Sequence, residues 1–96
     1  MATRPAPADT RPGLSIGMLG YGFMGRAHSN AYRSMGLNLW PGGVVPELSV
    51  IAGRSPEAVA EAATRYGFAA YTTDWRDLVN DPAIQVFDNV GPDETH

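Results

Sequence analysis

Three glycines are the residues with the most to say about chemistry: Gly20, Gly22 and Gly25 stand in the spacing G-x-G-x-x-G, directly after the apolar run LSIGML and at the opening of a glycine-free helical stretch. Each position makes a different demand on the backbone. Gly20 must permit a tight turn, Gly22 must let the main chain approach a pyrophosphate, and Gly25 must let helix and strand pack closely. The phosphates would then meet unpaired N–H groups at a helix N-terminus. In this context the triplet predicts a dinucleotide site; the alternative is an ordinary glycine-rich turn between a strand and a helix. Elsewhere the chemistry is sparse. There is no cysteine, hence no thiolate, disulfide or cysteine-held metal. All 7 basic residues are arginine, so no lysine can act as acid, base or Schiff-base nucleophile. The histidines, His28 and His96, lie far apart, and neither a metal site nor a catalytic residue is expected.

The elements that must hold these glycines can be read from periodicity. Leu14 to Leu19 is an uncharged apolar run suited to a strand covered on both faces. From Phe23 to about Met35 the positions Met24, Ala27, Ala31 and Met35 recur at helical spacing, with Gly36 as the expected stop. Residues 37–47, LNLWPGGVVPE, are expected to be an extended loop in which Trp40 plugs a hydrophobic gap rather than facing a ligand. Leu48 to Ala52 reads as a second strand. Ser55, Pro56 and Glu57 supply an N-cap, a first-turn proline and a first-turn acid for a helix packed through Val59, Ala62, Ala63 and Tyr66 and ended at Gly67. Residues 69–72 are expected to be a third strand. Asp74 then caps a short helix with Trp75, Leu78 and Val79 facing inward, and Ile84 to Val90 is the fourth strand. Alternating strands and helices with right-handed crossovers predict an α/β class: a partial Rossmann fold, a parallel sheet in the order 3-2-1-4 with helices on both faces. The Gly20 turn and the stretch Asn89 to His96 would meet at the reversal point of that sheet.

Composition bounds the rest. At 96 residues with 44% hydrophobic and 18% charged residues, one small domain with a core is possible. A net charge of −3 with scattered arginines gives no footprint for nucleic acid. No run suits a membrane span or a secretory signal, so neither membrane nor nucleic acid is an expected partner, and a cytoplasmic location is the expectation. Residues 1–13, rich in proline and arginine without apolar periodicity, read as a flexible arm, and residues 14–96 as an incomplete dinucleotide-binding domain with no substrate domain.

With those elements placed, IGMLGYGFMGRAHSNAYR, SPEAVAEAATRYG and AYTTDWRDLVNDPAIQVFDNVGP, with His96 four positions after Pro92, make the chain from Leu14 to His96 resemble the N-terminal part of the Gfo/Idh/MocA family of glucose-fructose oxidoreductases and inositol dehydrogenases. The resemblance implies a nicotinamide dinucleotide, NADP or NAD, and hydride exchange with a sugar, inositol or related polyol. It places Gly20, Gly22 and Gly25 along the pyrophosphate, with the N–H groups of Phe23 and Met24 directed at it. Where NAD-preferring relatives commonly carry an aspartate after strand two, this chain has Gly53. Together Gly53, Arg54 and Ser55 offer room, a guanidinium and a hydroxyl to a 2′-phosphate, which favours NADP over NAD; the other reading of Arg54 is a solvated surface arginine. Near the nicotinamide the resemblance places Asn89, Gly91, Pro92 and Asp93, although NVGPDETH departs from the family's usual ATPN-type sequence; Asp93 and His96 read equally as the cap and first turn of a following helix. His28 is expected to pack as a hydrogen-bonded histidine near the sheet. The family's catalytic lysine, in a Glu-Lys-Pro motif, and its substrate domain have no counterpart here.

The function expected is therefore that of a nucleotide-binding N-terminal fragment of a NAD(P)-dependent oxidoreductase, with sugar or polyol substrates only in a full-length form. A stand-alone, non-catalytic NADP(H)-binding module is the second reading. A methyltransferase binding S-adenosylmethionine is a third, which the glycine spacing and the Gly53-Arg54 pair fit less well.

Overall fold

A computed structural model describes residues 4–91. Its elements are β1 (Gly13–Leu19), α1 (Phe23–Asn38), β2 (Val45–Ala52), α2 (Pro56–Tyr66), β3 (Ala70–Thr72), α3 (Arg76–Val79) and β4 (Val86–Asn89). The four strands form one parallel sheet in the order β3-β2-β1-β4, as the sequence predicts. β1 lies inside the sheet because two steps carry the chain outward to β3 and the return passes to the far side of β1.

Met18 and Ile51 face one side of the sheet and are fully buried beneath α1 and α2; on α2, Val59, Ala62, Ala63 and Tyr66 form the expected packing face together with Phe68. α2 begins as the sequence indicates. Ser55 Oγ accepts from the Ala58 N–H at 3.3 Å, Pro56 occupies the first turn, and Gly67 ends the helix in the left-handed conformation at φ 85°. The opposite face is covered by α3 through Leu78. A Cβ at Gly17 would lie 3.5 Å from Leu78 Cδ2 and 3.0 Å from Ile84. Among the described residues no helix is long and apolar enough to cross a membrane.

Five expectations are corrected. Ala27 and Ala31, read as part of the packing face of α1, are exposed, and the helix instead buries Gly25, Ser29 and Gly36. α1 does not stop at Gly36 but continues to Asn38. Gly36 is buried inside the helix, where a Cβ would meet Val45 Cγ1 at 3.8 Å, an ordinary contact. β2 starts at Val45 and includes Pro46. This is tolerated because β3 pairs only with Val50 to Ala52, leaving β2 an edge strand where the proline stands. Trp40 is no plug. It is 62% exposed, and its ring carries the Arg11 guanidinium at 5.0 Å from the centroid. The gap is closed instead by Arg11 Nη1, which donates to the carbonyls of Gly36 (2.7 Å) and Gly42 (3.1 Å). Finally, Trp75 and Val79 are exposed and only Leu78 is buried, since a helix of 4 residues turns a single position toward the sheet. The N-cap of that helix is Trp75 rather than the expected Asp74, which stands one position ahead with its Oδ1 accepting from the Arg76 N–H at 3.0 Å.

Candidate functional site

The carboxyl ends of β1, β2 and β4 converge on the glycine turn. Gly20 has φ +98°, a conformation costly for any side chain, and its N–H donates to the Ala52 carbonyl at 3.0 Å, fastening the turn to β2. A Cβ there would lie 2.9 Å from the Gly91 nitrogen and 3.0 Å from the Val90 carbonyl carbon. The turn after β1 therefore touches the chain leaving β4, main chain against main chain. Gly25 makes a similar demand one turn into α1, where a Cβ would stand 3.1 Å from the Gly20 oxygen and 3.4 Å from Val90 Cγ2. Gly22 differs: nothing lies within 4 Å of its Cβ position, and it faces open space.

Gly22 is also the residue that begins α1. Among the described residues no side chain caps this helix and no acid stands in its first turn, so the N–H groups of Phe23, Met24 and Gly25 and the positive end of the helix dipole are open to a group from outside the helix. α2 is the opposite case, closed by Ser55 and carrying Glu57 in its first turn. The two helix starts, one open and one sealed, flank the end of the sheet.

On the β4 side, Val90 N–H donates to Leu19 O at 2.9 Å and Gly91 N–H to Asn89 Oδ1 at 3.0 Å, so the predicted meeting of the Gly20 turn with Asn89 and Gly91 is present. Pro92, Asp93 and His96 lie outside the described residues. On the β2 side, Gly53 N–H donates to Thr72 O at 3.1 Å. Arg54 is exposed with no ion-pair partner among the described residues, whereas the Ser55 hydroxyl is engaged by the Ala58 N–H and lies 3.4 Å from Glu57 Oε2. The Tyr21 ring lies directly over Gly53, and Tyr21 is held by the Tyr66 hydroxyl, which donates to its carbonyl at 3.0 Å. A cavity of about 180 Å³ adjoins it, lined by Tyr21, Ala58, Glu61, Ala62, Arg65 and Tyr66.

One polar cluster escapes sequence reasoning. Asp88 on β4 uses a single oxygen, Oδ2, to hold both His28 Nδ1 (2.7 Å) and the Tyr32 hydroxyl (2.8 Å) on α1. The expected hydrogen bond of His28 is thus found, from a side chain that is 38% exposed, with a partner 60 residues away in sequence that no local signal could name. Burial, followed by the hydrogen bond to Asp88 and the charge of that carboxylate, pushes the Tyr32 phenol up to about 12. Among the described residues no group of three or more His, Asp or Glu side chains could hold a metal ion.

Residues 14–96 match a family model described as an oxidoreductase family with a NAD-binding Rossmann fold. A levoglucosan dehydrogenase of Pseudarthrobacter phenanthrenivorans is 47% identical over 83 residues, covering 86% of this chain and 21% of that protein. A solved levoglucosan dehydrogenase in complex with NADH and levoglucosan superposes with a TM-score of 0.80 at 48% identity, over 83% of this chain and 22% of the other. An oxidoreductase domain protein from Kribbella flavida superposes with a TM-score of 0.79 at 40% identity, over 88% and 22% respectively. The chain thus spans about a fifth of the length of the relatives it matches.

Proposed function

This chain belongs to the Gfo/Idh/MocA oxidoreductase family, with its NAD-binding Rossmann fold, and on that premise we propose that it binds a nicotinamide dinucleotide as the cofactor-binding portion of a dehydrogenase acting on a sugar or related polyol. The observation that carries this reading is the open Gly22 position at an uncapped, acid-free helix start, set beside the seam between Gly20 and Gly91. That combination fits a pyrophosphate: glycine gives room, three N–H groups give donors, and the helix dipole favours negative charge. Gly20, Gly22 and Gly25 with the N–H groups of Phe23 and Met24 would hold the phosphates. Gly53, Arg54 and Ser55 would border the adenosine ribose, and Asn89 and Gly91, followed by Pro92 and Asp93, the nicotinamide end. When bound, the cofactor supplies hydride exchange with a carbon-bound hydroxyl. The residues of this chain would bind and orient it, and the sequence has no lysine to match the family's catalytic lysine. The sugar class is inferred from the levoglucosan dehydrogenases that the chain resembles at 47–48% identity.

Between the two dinucleotides we favour NAD(H). Relatives at this identity are solved with NADH, and Ser55 is engaged as a helix cap beside the Glu57 carboxylate, which would repel a 2′-phosphate. NADP(H) remains the second reading, favoured by the absence of an acid at Gly53 and by the exposed Arg54, which has no ion-pair partner among the described residues. Fluorescence titration of the 96-residue chain with NADH and with NADPH tests both readings. Saturable binding is expected, and Gly22→Val should weaken it by at least about tenfold by placing a branched side chain where the phosphates approach. An unchanged titration in that variant would overturn the site.

A further inference from the structure

We infer that Tyr21 is a specificity-determining residue of the dinucleotide site: its ring fills the volume in which any side chain at position 53 would stand, and so forms the wall against the adenosine ribose where many dinucleotide-binding folds present an acid. The inference rests on the proposed binding function. Its starting point is that Gly53 has no conformational reason to be glycine. The glycines with positive φ are Gly20, Gly43 and Gly67, and Gly53 is not among them. What excludes a side chain is contact. A Cβ at Gly53 would lie 2.9 Å from Tyr21 Cδ1 and 3.3 Å from Cζ, and would overlap Cε1.

Both partners are held from behind. Gly53 is tied to β3 through its N–H bond to Thr72 O at 3.1 Å. Tyr21 sits between Gly20, whose φ of +98° fixes the turn, and the carbonyl bond from Tyr66 at 3.0 Å. Neither main chain can retreat without breaking one of these bonds, so the conflict must be met by the ring. A cavity of about 180 Å³, lined in part by Tyr21 and Tyr66, adjoins the ring and offers it room to move. An acid at this point of a dinucleotide-binding fold accepts hydrogen bonds from the ribose hydroxyls and repels a 2′-phosphate. An aromatic ring does not repel the phosphate. Tyr21 thus governs cofactor choice by deciding what residue 53 can be, and Arg54 acts on a pocket whose wall Tyr21 has already set.

The test is a double-mutant cycle on the whole chain, read by thermal unfolding and by NADH and NADPH titration. Gly53→Ala should lower the melting temperature in the presence of Tyr21 and leave it equal or higher in the Tyr21→Ala background. Gly53→Asp alone should weaken NADH by about tenfold or more, while Tyr21→Ala with Gly53→Asp should recover NADH binding and disfavour NADPH by about tenfold relative to it. Tyr21→Phe, which keeps the ring, should resemble the wild type. Equal effects of the residue 53 substitutions in both backgrounds would overturn the inference while leaving the binding function intact. A wild-type chain that binds neither nucleotide overturns the function itself, and the inference with it. The unfolding cycle reads the steric coupling even if the aspartate variant is poorly folded.

Discussion

Arg54 illustrates how much a single side chain can be asked to decide. It is exposed and has no ion-pair partner among the described residues, so removing it should cost the fold almost nothing. A hydrogen bond from a guanidinium to a phosphate is worth about 1.5–3 kcal/mol, so if Arg54 reads a 2′-phosphate, Arg54→Ala should weaken NADPH by about tenfold or more and NADH far less. Equal losses for both, measured by titration, would show that it does not. At this scale the sequence was legible wherever a residue's role depends on its own backbone or its immediate neighbours. Gly20 and Gly25 meet the demands for a tight turn and close packing read from their spacing, Gly22 faces open space, and Ser55 caps α2 as its type and position indicate. It was illegible where the reason lies on another element. Gly53 stands out in the sequence as a missing acid, but the Tyr21 ring that excludes a side chain there can be seen only in space. Trp40 was misread because the residue that meets it, Arg11, belongs to a segment without periodicity.

The elements divide into those that stabilise themselves and those that are held by others. α2 has its cap, its first-turn acid and its left-handed glycine terminus. α1 has none of these at its start and is fastened part-way along its length, where Asp88 on β4 holds His28 and Tyr32. This fastening has a pH signature. The Tyr32 phenol is raised from 10.0 to about 12, so it stabilises the fold fully below pH 10, and that contribution is lost as pH rises from 10 toward 12, when the folded state must give up a proton that the unfolded chain has already released. Unfolding free energies measured across this range should fall more steeply for the wild type than for Tyr32→Phe. Parallel curves would show that Tyr32 contributes nothing through its proton. Strand order, helix order and the packing face of α2 were all readable from periodicity; the limits of β2 and of α1 were not. Pro46 and Gly36 look like breaks in sequence, yet Pro46 is accommodated by the short reach of β3, and α1 runs through Gly36 to Asn38.

The whole molecule is a four-stranded sheet whose β4 has a partner on one side only among the described residues, with Phe87, Trp75, Val79 and Tyr71 each at least 40% exposed. A small domain buries proportionally little of its surface, and an open parallel edge invites pairing. The isolated chain should therefore unfold at modest temperature and scatter light increasingly with concentration; a sharp, high-melting transition that is independent of concentration would contradict this. The seam where Gly20 meets Gly91 sets a different kind of limit. Because it is built of main chain on both sides, it carries no information that a side-chain substitution could rewrite. The floor of the site is thus common property of any cofactor laid upon it. Whatever distinguishes one relative from another in the choice of ligand must be inscribed along its margins, and an engineer redesigning this protein would find that the floor can be destroyed but not retuned.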